Sequence, residues 1–158
     1  PITVLGESLF SQLDFQGLVY TLKEQEMLRL AGQTSPEGLL AVVSIQKENL
    51  EPQAPHLVLD QINDPGNMGS ILRTALWFGF KRVSLLGACA DPWSTKSLRS
   101  AMGAQLHLES VQSVRDEDLI LWKEKGARFL GLDSNTGDPL EKHNFDEHDI
   151  LVMGIKIK

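Results

Sequence analysis

The sequence predicts an α/β fold in which a parallel sheet carries helices on both faces. From residue 56 onward, strand-like and helix-like segments alternate along the chain. The strand-like segments are nearly continuous apolar runs, which is typical of parallel strands buried on both sides. A chain of 158 residues also buries about 70% of its unfolded surface, so it can enclose a substantial core.

The residues ahead of this alternation are predicted to form a smaller, separate part of the chain. Its predicted elements are a strand over Gly17–Tyr20, a helix over Leu22–Ala31 that ends at Gly32, and a strand over Leu39–Ile45. Residues 47–55 are polar and proline-containing, as expected of a linker. The predicted organisation is a partial domain over 1–46, a linker over 47–55 and an α/β domain over 56–158.

The α/β domain has four predicted loops at the carboxyl ends of its strands. The predicted elements are, in order, strand His56–Ile62, helix Met68–Phe78, strand Lys81–Leu86, helix Thr95–Ala101, strand Leu106–Val111, helix Glu117–Lys125 behind an Asp116 cap, strand Arg128–Leu132 and strand Ile150–Met153. Parallel sheets bind ligands beyond the carboxyl ends of their strands. We therefore expect the site in the loops 62–69, 86–95 and 132–140 and in the residues after 153.

Net charge gives a mixed prediction about polyanionic partners. The chain carries a formal charge of −6, which argues against nucleic acid. However, residues 65–108 hold five basic side chains and one acidic side chain. Binding of a polyanion depends on the local potential rather than the total charge. Ordinary scatter of surface charge is the alternative explanation of this positive stretch.

Several classes of protein and of site are disfavoured by composition. No run approaches the roughly 18 to 20 apolar residues of a membrane span. No basic segment followed by an apolar run opens the chain, so a secretory leader is not expected. The chain also lacks an initiator Met, so it is expected to be an excised or processed piece. Cys89 alone makes no intrachain disulfide or zinc site, which favours a reducing cytoplasm. The four histidines are too scattered for a metal site, and His143 and His148 are predicted to lie in a solvated acidic loop with Asp149.

The segment after the first predicted strand is the most informative stretch. Asp64, Pro65 and Gly66 predict a tight turn, and Asn67 is predicted to cap the following helix. Gly69 in the first turn would let another backbone or a ligand approach closely. Arg73 lies one turn further on the same helical face, while Trp77 and Phe78 have the spacing of core residues. The alternative is a well-capped helix with a solvent-exposed arginine.

Two stretches resemble the SpoU (TrmH-type) RNA methyltransferases of the knotted SPOUT class. The first is Asn63-x-Pro65-Gly66-Asn67-x-Gly69-x-x-x-Arg73-Thr74-Ala75-x-x-Phe78-Gly79, and the second is Ser97-Leu98-Arg99-Ser100-Ala101-Met102-Gly103-Ala104. The resemblance covers about residues 56–154. Residues 1–46 are more weakly similar to the end of the small, ribosomal-protein L30e-like substrate domain that precedes many family members.

The resemblance implies transfer of a methyl group from S-adenosylmethionine to a ribose 2′-hydroxyl of RNA, with no metal. Arg73 would activate and position the hydroxyl, although its guanidinium normally stays protonated. Asn67 would organise the loop, and Lys96 and Arg99 would contact RNA phosphates, with plain surface solvation as the alternative for both. Ribosomal RNA is favoured over transfer RNA, and a homodimer is expected.

The cofactor-binding residues implied by the resemblance lie at the far end of the chain. Gly154 matches the family's second motif, and Leu132, Asp133 and Ser134 form a neighbouring loop, for which a plain polar turn is the alternative. Lys156 stands where the family has Glu, and the third motif is missing. We therefore expect either a fragment of a complete enzyme or a truncated relative. A noncatalytic RNA-binding module is one alternative, and a nucleotide-binding α/β protein is a more distant one.

Overall fold

The structure is a computed structural model that describes residues 19–32, 34–36, 38–45, 55–133 and 137–154. The chain divides into two compact units, Pro1–Gln46 and Lys47–Lys158. The likeness of the first unit to a substrate-binding domain remains a prediction.

The first unit contains the helix α1 (Glu24–Ala31), close to the predicted Leu22–Ala31. The backbone N–H of Lys23 donates to the Glu26 carboxylate at 2.8 Å, and Gly32 ends the helix at a positive φ of 58°. The strand predicted over 39–45 is wrong, because these residues form no strand and Val42 is 95% exposed. Of the strand predicted over 17–20, residues 17 and 18 lie outside the described residues, and 19 and 20 are not in a strand.

The second unit is built on five parallel strands, which confirms the predicted fold class. The strands are β1 (His56–Asp60), β2 (Arg82–Leu86), β3 (Ser110–Val114), β4 (Arg128–Gly131) and β5 (Asp149–Gly154). Their order in the sheet is β3-β2-β1-β5-β4. Strands β2 and β3 lie on one side of β1, and the later strands β5 and β4 lie on its other side. The order of the strands therefore reverses between β1 and β5. Such a reversal opens a crevice at the carboxyl ends of the two strands.

Helices cover both faces of this sheet. They are α2 (Pro65–Trp77), α3 (Thr95–Ala101) and α4 (Asp116–Glu124), with short 3₁₀ turns at Ala104–Leu106 and Leu140–Lys142. One core lies between the sheet and the pair α2 and α3, and it includes Leu59, Leu72 and Val83. The other core lies under α4 and includes Val58, Trp122 and Ile150. Alternate residues of each strand point into the two opposite cores. Both sets are therefore apolar, which explains why the strand sequences are continuous apolar runs.

The third strand is displaced from its predicted place. The sequence predicts Leu106–Val111, whereas β3 spans Ser110–Val114 and pairs Ser110 with Arg82 of β2. Leu106 belongs instead to a 3₁₀ turn and is 61% exposed. Polar residues are tolerated in β3 because, among the described strands, it lies at the edge of the sheet and pairs only with β2. The apolar run therefore begins before the strand does.

A buried carboxylate joins the starts of β4 and β5. Asp149 is 5% exposed and accepts hydrogen bonds from Arg128 Nε at 2.8 Å and from the Asp146 N–H at 2.9 Å, with His143 Nε2 at 3.1 Å. The Arg128 guanidinium is the main cause that lowers the pKa of Asp149 to about 2. The predicted solvated loop is thus wrong for Asp149, although His148 is exposed as predicted.

A second buried titratable group lies at the start of β1. The His56 side chain is fully buried, its Nε2 lies 2.9 Å from Ser84 Oγ, and its ring centroid is 5.0 Å from that of Trp122. Within the described part of the chain, Nδ1 has no hydrogen-bond partner. Burial, with a smaller effect of Arg82, lowers the pKa of His56 from 6.5 to about 4. The folded state therefore holds this imidazole neutral.

We expect acid to destabilise this protein through His56. The unfolded chain binds a proton at His56 near pH 6.5 and the folded chain only near pH 4, so stability present above pH 6.5 is lost as the pH falls. Between pH 7 and pH 5 the loss should be about 2 kcal/mol, measured by urea unfolding. Asp149 contributes its loss only at lower pH, because its folded pKa is about 2. A His56→Asn variant should lose most of this dependence, and an unchanged slope would contradict the assignment.

Candidate functional site

The loop after β1 positions the start of α2 at the crevice. Asp64 is the N-cap of α2, and its Oδ1 accepts the Asn67 backbone N–H at 2.7 Å. Pro65 takes the first helical position, where its fixed φ is already helical. The cap therefore falls on Asp64, and the prediction that Asn67 caps the helix is wrong. The Asn67 N–H, aided by Lys96, lowers the pKa of Asp64.

Gly69 lies where α2 packs closely against α3. A Cβ on Gly69 would lie 2.5 Å from the Ser97 carbonyl oxygen and 2.7 Å from the Ala101 nitrogen. The Ser100 hydroxyl also donates to the Gly66 carbonyl at 2.7 Å, which ties α3 to the first turn of α2. The close approach that the sequence predicts at Gly69 is thus made by another backbone. The two motif-like stretches are packed against each other here.

The predicted RNA-contacting cations all lie on α2 and α3 and are exposed. Arg73 Nη1 donates to Met102 Sδ at 3.4 Å, beside the C-terminal end of α3. Lys96 Nζ lies 3.6 Å from Asp64, and Arg99 Nε donates to the Thr95 carbonyl at 3.3 Å. Within the described residues, neither Arg73 nor Arg99 has a carboxylate at ion-pair distance. Both arginines can therefore offer their charge to an external anion.

The predicted cofactor-binding residues lie at the carboxyl ends of β4 and β5. Gly154 pairs with Asp60 across the β1–β5 junction, and a Cβ on Gly154 would overlap the Asp60 carbonyl oxygen. Leu132 follows β4 and its N–H donates to the Val152 carbonyl at 2.9 Å. Asp133 is exposed. Ser134 and residues 155–158 lie outside the described residues, so the structure places three of the four predicted residues at this edge.

An apolar cavity of about 230 Å³ lies between α2 and the β5 side of the sheet. Ile71 and Thr74 of α2 line one wall, and Leu151 and Met153 of β5 line the other, together with Leu132. The structure thereby brings one predicted cofactor residue against the helix that carries Arg73. Sequence reasoning missed this cavity, because its walls come from segments about 60 residues apart or more.

Two aromatic residues at the C-terminal end of α2, the last helical residue and the one after it, contradict their predicted packing. Trp77 is 86% exposed and Phe78 is 73% exposed. The buried side of α2 contains Met68 and Leu72. At about 100° per residue, Trp77 lies nine residues and half a turn of direction away from Met68. The helical period alone places Trp77 opposite the buried side of α2. The prediction of burial followed the apolar character of these residues instead.

The described residues hold no group of three or more His, Cys, Asp or Glu side chains placed to bind a metal ion. Within the same residues, no helix is long and apolar enough to cross a membrane. Cys89 is half-buried, with its Sγ 3.4 Å from the carbonyls of Leu59 and Leu86.

Comparison with known proteins identifies the family. Residues 54–155 match the SpoU rRNA Methylase family model. The chain is 29% identical over 135 residues to the 23S rRNA (guanosine(2553)-2′-O)-methyltransferase RlmP of Bacillus subtilis, an alignment that covers 85% of this chain and 54% of the relative. The chain spans about half the length of the curated relatives it matches.

Solved structures share the architecture described above. A proposed RNA methyltransferase of the TrmH family from Porphyromonas gingivalis is 32% identical with a TM-score of 0.74, covering 93% of this chain and 61% of that one. An AdoMet-bound rRNA methyltransferase from Sinorhizobium meliloti, 20% identical, has the same fold with a TM-score of 0.73 over 85% of this chain and 54% of that one. With well over half of its residues matched by the family model, the chain belongs to the SpoU rRNA methylase family.

Proposed function

We propose that this chain is the catalytic part of an S-adenosylmethionine-dependent RNA 2′-O-methyltransferase. The observation that carries the proposal is the state of Arg73. It stands in the family's first motif, on an exposed face of α2, and within the described residues no carboxylate neutralises it. An exposed guanidinium in this state suits the anionic backbone of RNA.

Arg73 acts in this proposal by positioning and by electrostatic support. The ribose 2′-hydroxyl must lose its proton as its oxygen attacks the methyl carbon. A guanidinium normally stays protonated, so Arg73 is a poor proton acceptor and a good donor to the ribose or its phosphate. Held there, its charge stabilises negative charge that develops on the 2′-oxygen. The hydroxyl proton would pass to solvent water, and the carbon–sulfur bond of the methyl donor would break to leave the neutral thioether S-adenosylhomocysteine.

Two further residues are proposed to hold RNA, and a third is proposed to organise the loop beside it. Lys96 and Arg99 lie on α3, which packs directly against α2, and both side chains are exposed. They would contact phosphates and so fix the register of the strand. The Asn67 amide is exposed at the start of α2, where it would organise the loop beside the substrate. Pairing of Lys96 with Asp64 at 3.6 Å is loose enough for exchange with a phosphate.

The crevice beside β5 fits S-adenosylmethionine in its chemistry. Leu132 contributes apolar surface, Asp133 a carboxylate that suits a cationic ligand, and Gly154 a backbone next to the β1–β5 junction. Ser134 is proposed with them from the family resemblance. When bound, the cofactor supplies an electrophilic methyl group on a positively charged sulfur. The chain's own residues then orient the ribose and keep the reacting groups together.

We also propose a class of RNA substrate, an oligomeric state and a cellular setting. Ribosomal RNA is favoured over transfer RNA, because a relative aligned over 85% of this chain acts on 23S rRNA and because residues 1–46 resemble a substrate-binding domain. A homodimer is proposed from the family resemblance, with sedimentation analysis as its test. The free, half-buried Cys89 supports a reducing cytoplasm as the setting.

Two measurements on the complete gene product test the proposed function. Isothermal titration calorimetry with S-adenosylmethionine should show binding at one site, and incubation with ribosomal RNA should yield 2′-O-methylnucleosides detected by mass spectrometry of the nuclease digest. RNA binding without cofactor binding would instead support the noncatalytic RNA-binding module. Absence of both activities would overturn the assignment altogether.

A further inference from the structure

Arg128 and Asp149, the first residues of β4 and β5, form an ion pair in which the carboxylate is buried. Arg128 Nε donates to Asp149 Oδ1 at 2.8 Å, and Arg128 Nη2 lies 2.8 Å from the same oxygen. Asp149 Oδ2 accepts the Asp146 N–H at 2.9 Å and lies 3.1 Å from His143 Nε2. A carboxylate that is only 5% exposed is tolerated where it has such partners. Both of its oxygens are therefore held by other groups of the chain.

The pair lies where the alignment of β4 on β5 begins. Arg128 is aligned with Asp149 in the parallel ladder between the two strands. β4 has four residues and, among the described strands, pairs only with β5. Its two middle residues, Phe129 and Leu130, are both apolar, so a shift by one residue would exchange one apolar side chain for another on each face of the sheet. Apolar burial therefore distinguishes poorly between registers, whereas the charged pair fits only one of them.

We propose that the Arg128–Asp149 pair sets the register of β4 on β5 and thereby positions the cofactor-binding residues Leu132 and Asp133. The inference rests on the proposed function, which assigns those two residues to the methyl donor. Arg128 and Asp149 lie at the opposite ends of their strands from that site, so they act as positioning residues and do not touch the cofactor. Buried polar groups have this role in other proteins, where they select one register among several that burial alone would allow.

Leu132 links the register of β4 to the proposed cofactor site. It directly follows β4, its N–H donates to the Val152 carbonyl at 2.9 Å, and its side chain lines the apolar cavity beside α2. A shift of β4 by one residue would move Leu132 by about 3.3 Å along β5 and break this hydrogen bond. It would also turn the side chains of Leu132 and Asp133 to the faces opposite those they now occupy. A methyl donor bound at these residues would then lose its contacts.

The cofactor affinity of the complete gene product tests the inference. Arg128→Gln removes the positive charge and keeps a side chain that can donate a hydrogen bond. We expect this variant to raise the Kd for S-adenosylmethionine about tenfold, measured by calorimetry well below the melting temperature, since misplaced contact groups weaken binding. Arg128→Lys should stay within about threefold of the parent, because both Arg128 nitrogens contact a single carboxylate oxygen that an ammonium group can also reach.

Amide hydrogen exchange separates a change of register from a general loss of stability. In Arg128→Gln the Leu132 amide should exchange about tenfold faster, because its bond to Val152 opens, while the amides of the central strand β1 keep the rates of the parent. Arg115→Gln is the matched control, the same substitution at an exposed arginine that pairs with Glu117 and Asp118 at the start of α4. It should leave both the Kd and the exchange of Leu132 unchanged.

The outcomes distinguish this inference from the proposed function. A parental Kd in Arg128→Gln would overturn the inference while the proposed function stands, even if the variant melts at a lower temperature, because the pair would then only stabilise the fold. A raised Kd with equally faster exchange throughout β1 would also overturn it. If Arg128→Gln does not fold, Asp149→Asn takes its place with the same expected results, since the amide keeps the shape of the carboxylate. A parent protein that binds no S-adenosylmethionine would overturn the proposed function itself.

Discussion

Gly69→Ala is expected to lower the free energy of unfolding by about 3 kcal/mol, the upper end of the range for overpacked sites. The new Cβ would lie 2.5 Å from the Ser97 carbonyl oxygen, 2.6 Å from the Ser100 Cβ and 2.7 Å from the Ala101 nitrogen. Two of these atoms belong to the backbone of α3, so relief requires the whole helix to move. Urea unfolding followed by circular dichroism measures the loss.

Gly66→Ala is the matched control for this prediction. Its Cβ would meet the Asp64 Oδ1 at 2.9 Å, and that carboxylate is the mobile end of a side chain. We expect a loss of about 1 kcal/mol, from a weakened cap rather than from overpacking. Adding Ser100→Gly to Gly69→Ala should not restore stability, because the backbone contacts remain and the hydrogen bond from the Ser100 hydroxyl to the Gly66 carbonyl is lost. Equal losses in Gly66→Ala and Gly69→Ala would show that close packing at Gly69 is not the cause.

The fold was predictable wherever a strand or helix is defined by its own sequence. Strands β1, β2 and β5 are central and apolar on both faces, and helix α3 begins and ends at the predicted residues. The prediction failed at β3, whose residues SVQSV carry little apolar signal because an edge strand is only partly covered. It failed again over 39–45, where a β-branched run has no partner strand among the described residues. Pairing, unlike propensity, is a property of the tertiary structure.

The site was predictable in its location and only partly in its details. The motif stretches mark the right loops, because the carboxyl ends of parallel strands meet at one edge. Asp64 rather than Asn67 caps α2 because Pro65 occupies the first helical position, and the cap is the residue just before it. The partners of Gly69 and Gly154 were not predictable, because they lie on α3 and β1 and are brought close by the fold. Gly69 and Gly154 therefore each have a packing reason of their own.

Arg73→Ala is expected to lower the rate of methyl transfer by about 100- to 1000-fold in the complete gene product, the usual effect of removing one group that stabilises developing charge. The affinity for S-adenosylmethionine should stay within about twofold, because the cofactor residues proposed here lie on β4 and β5 and their following loops rather than on α2. Stability should also be unchanged, since Arg73 is exposed and its side chain makes a single hydrogen bond within the described residues, to the Met102 sulfur. Single-turnover methylation, calorimetry and thermal melting measure the three quantities.

Arg73→Lys and Arg99→Ala are the controls that assign the role. Lysine keeps the charge and loses the planar fork, so partial recovery of the rate in Arg73→Lys would support electrostatic positioning of the ribose or phosphate. Arg99 lies on α3 and donates within the described residues to the Thr95 carbonyl. As a phosphate contact, its replacement by Ala should raise KM for RNA and reduce the salt dependence of binding by about one ion, with kcat little changed. Turnover unchanged in Arg73→Ala would show that another residue acts on the 2′-hydroxyl.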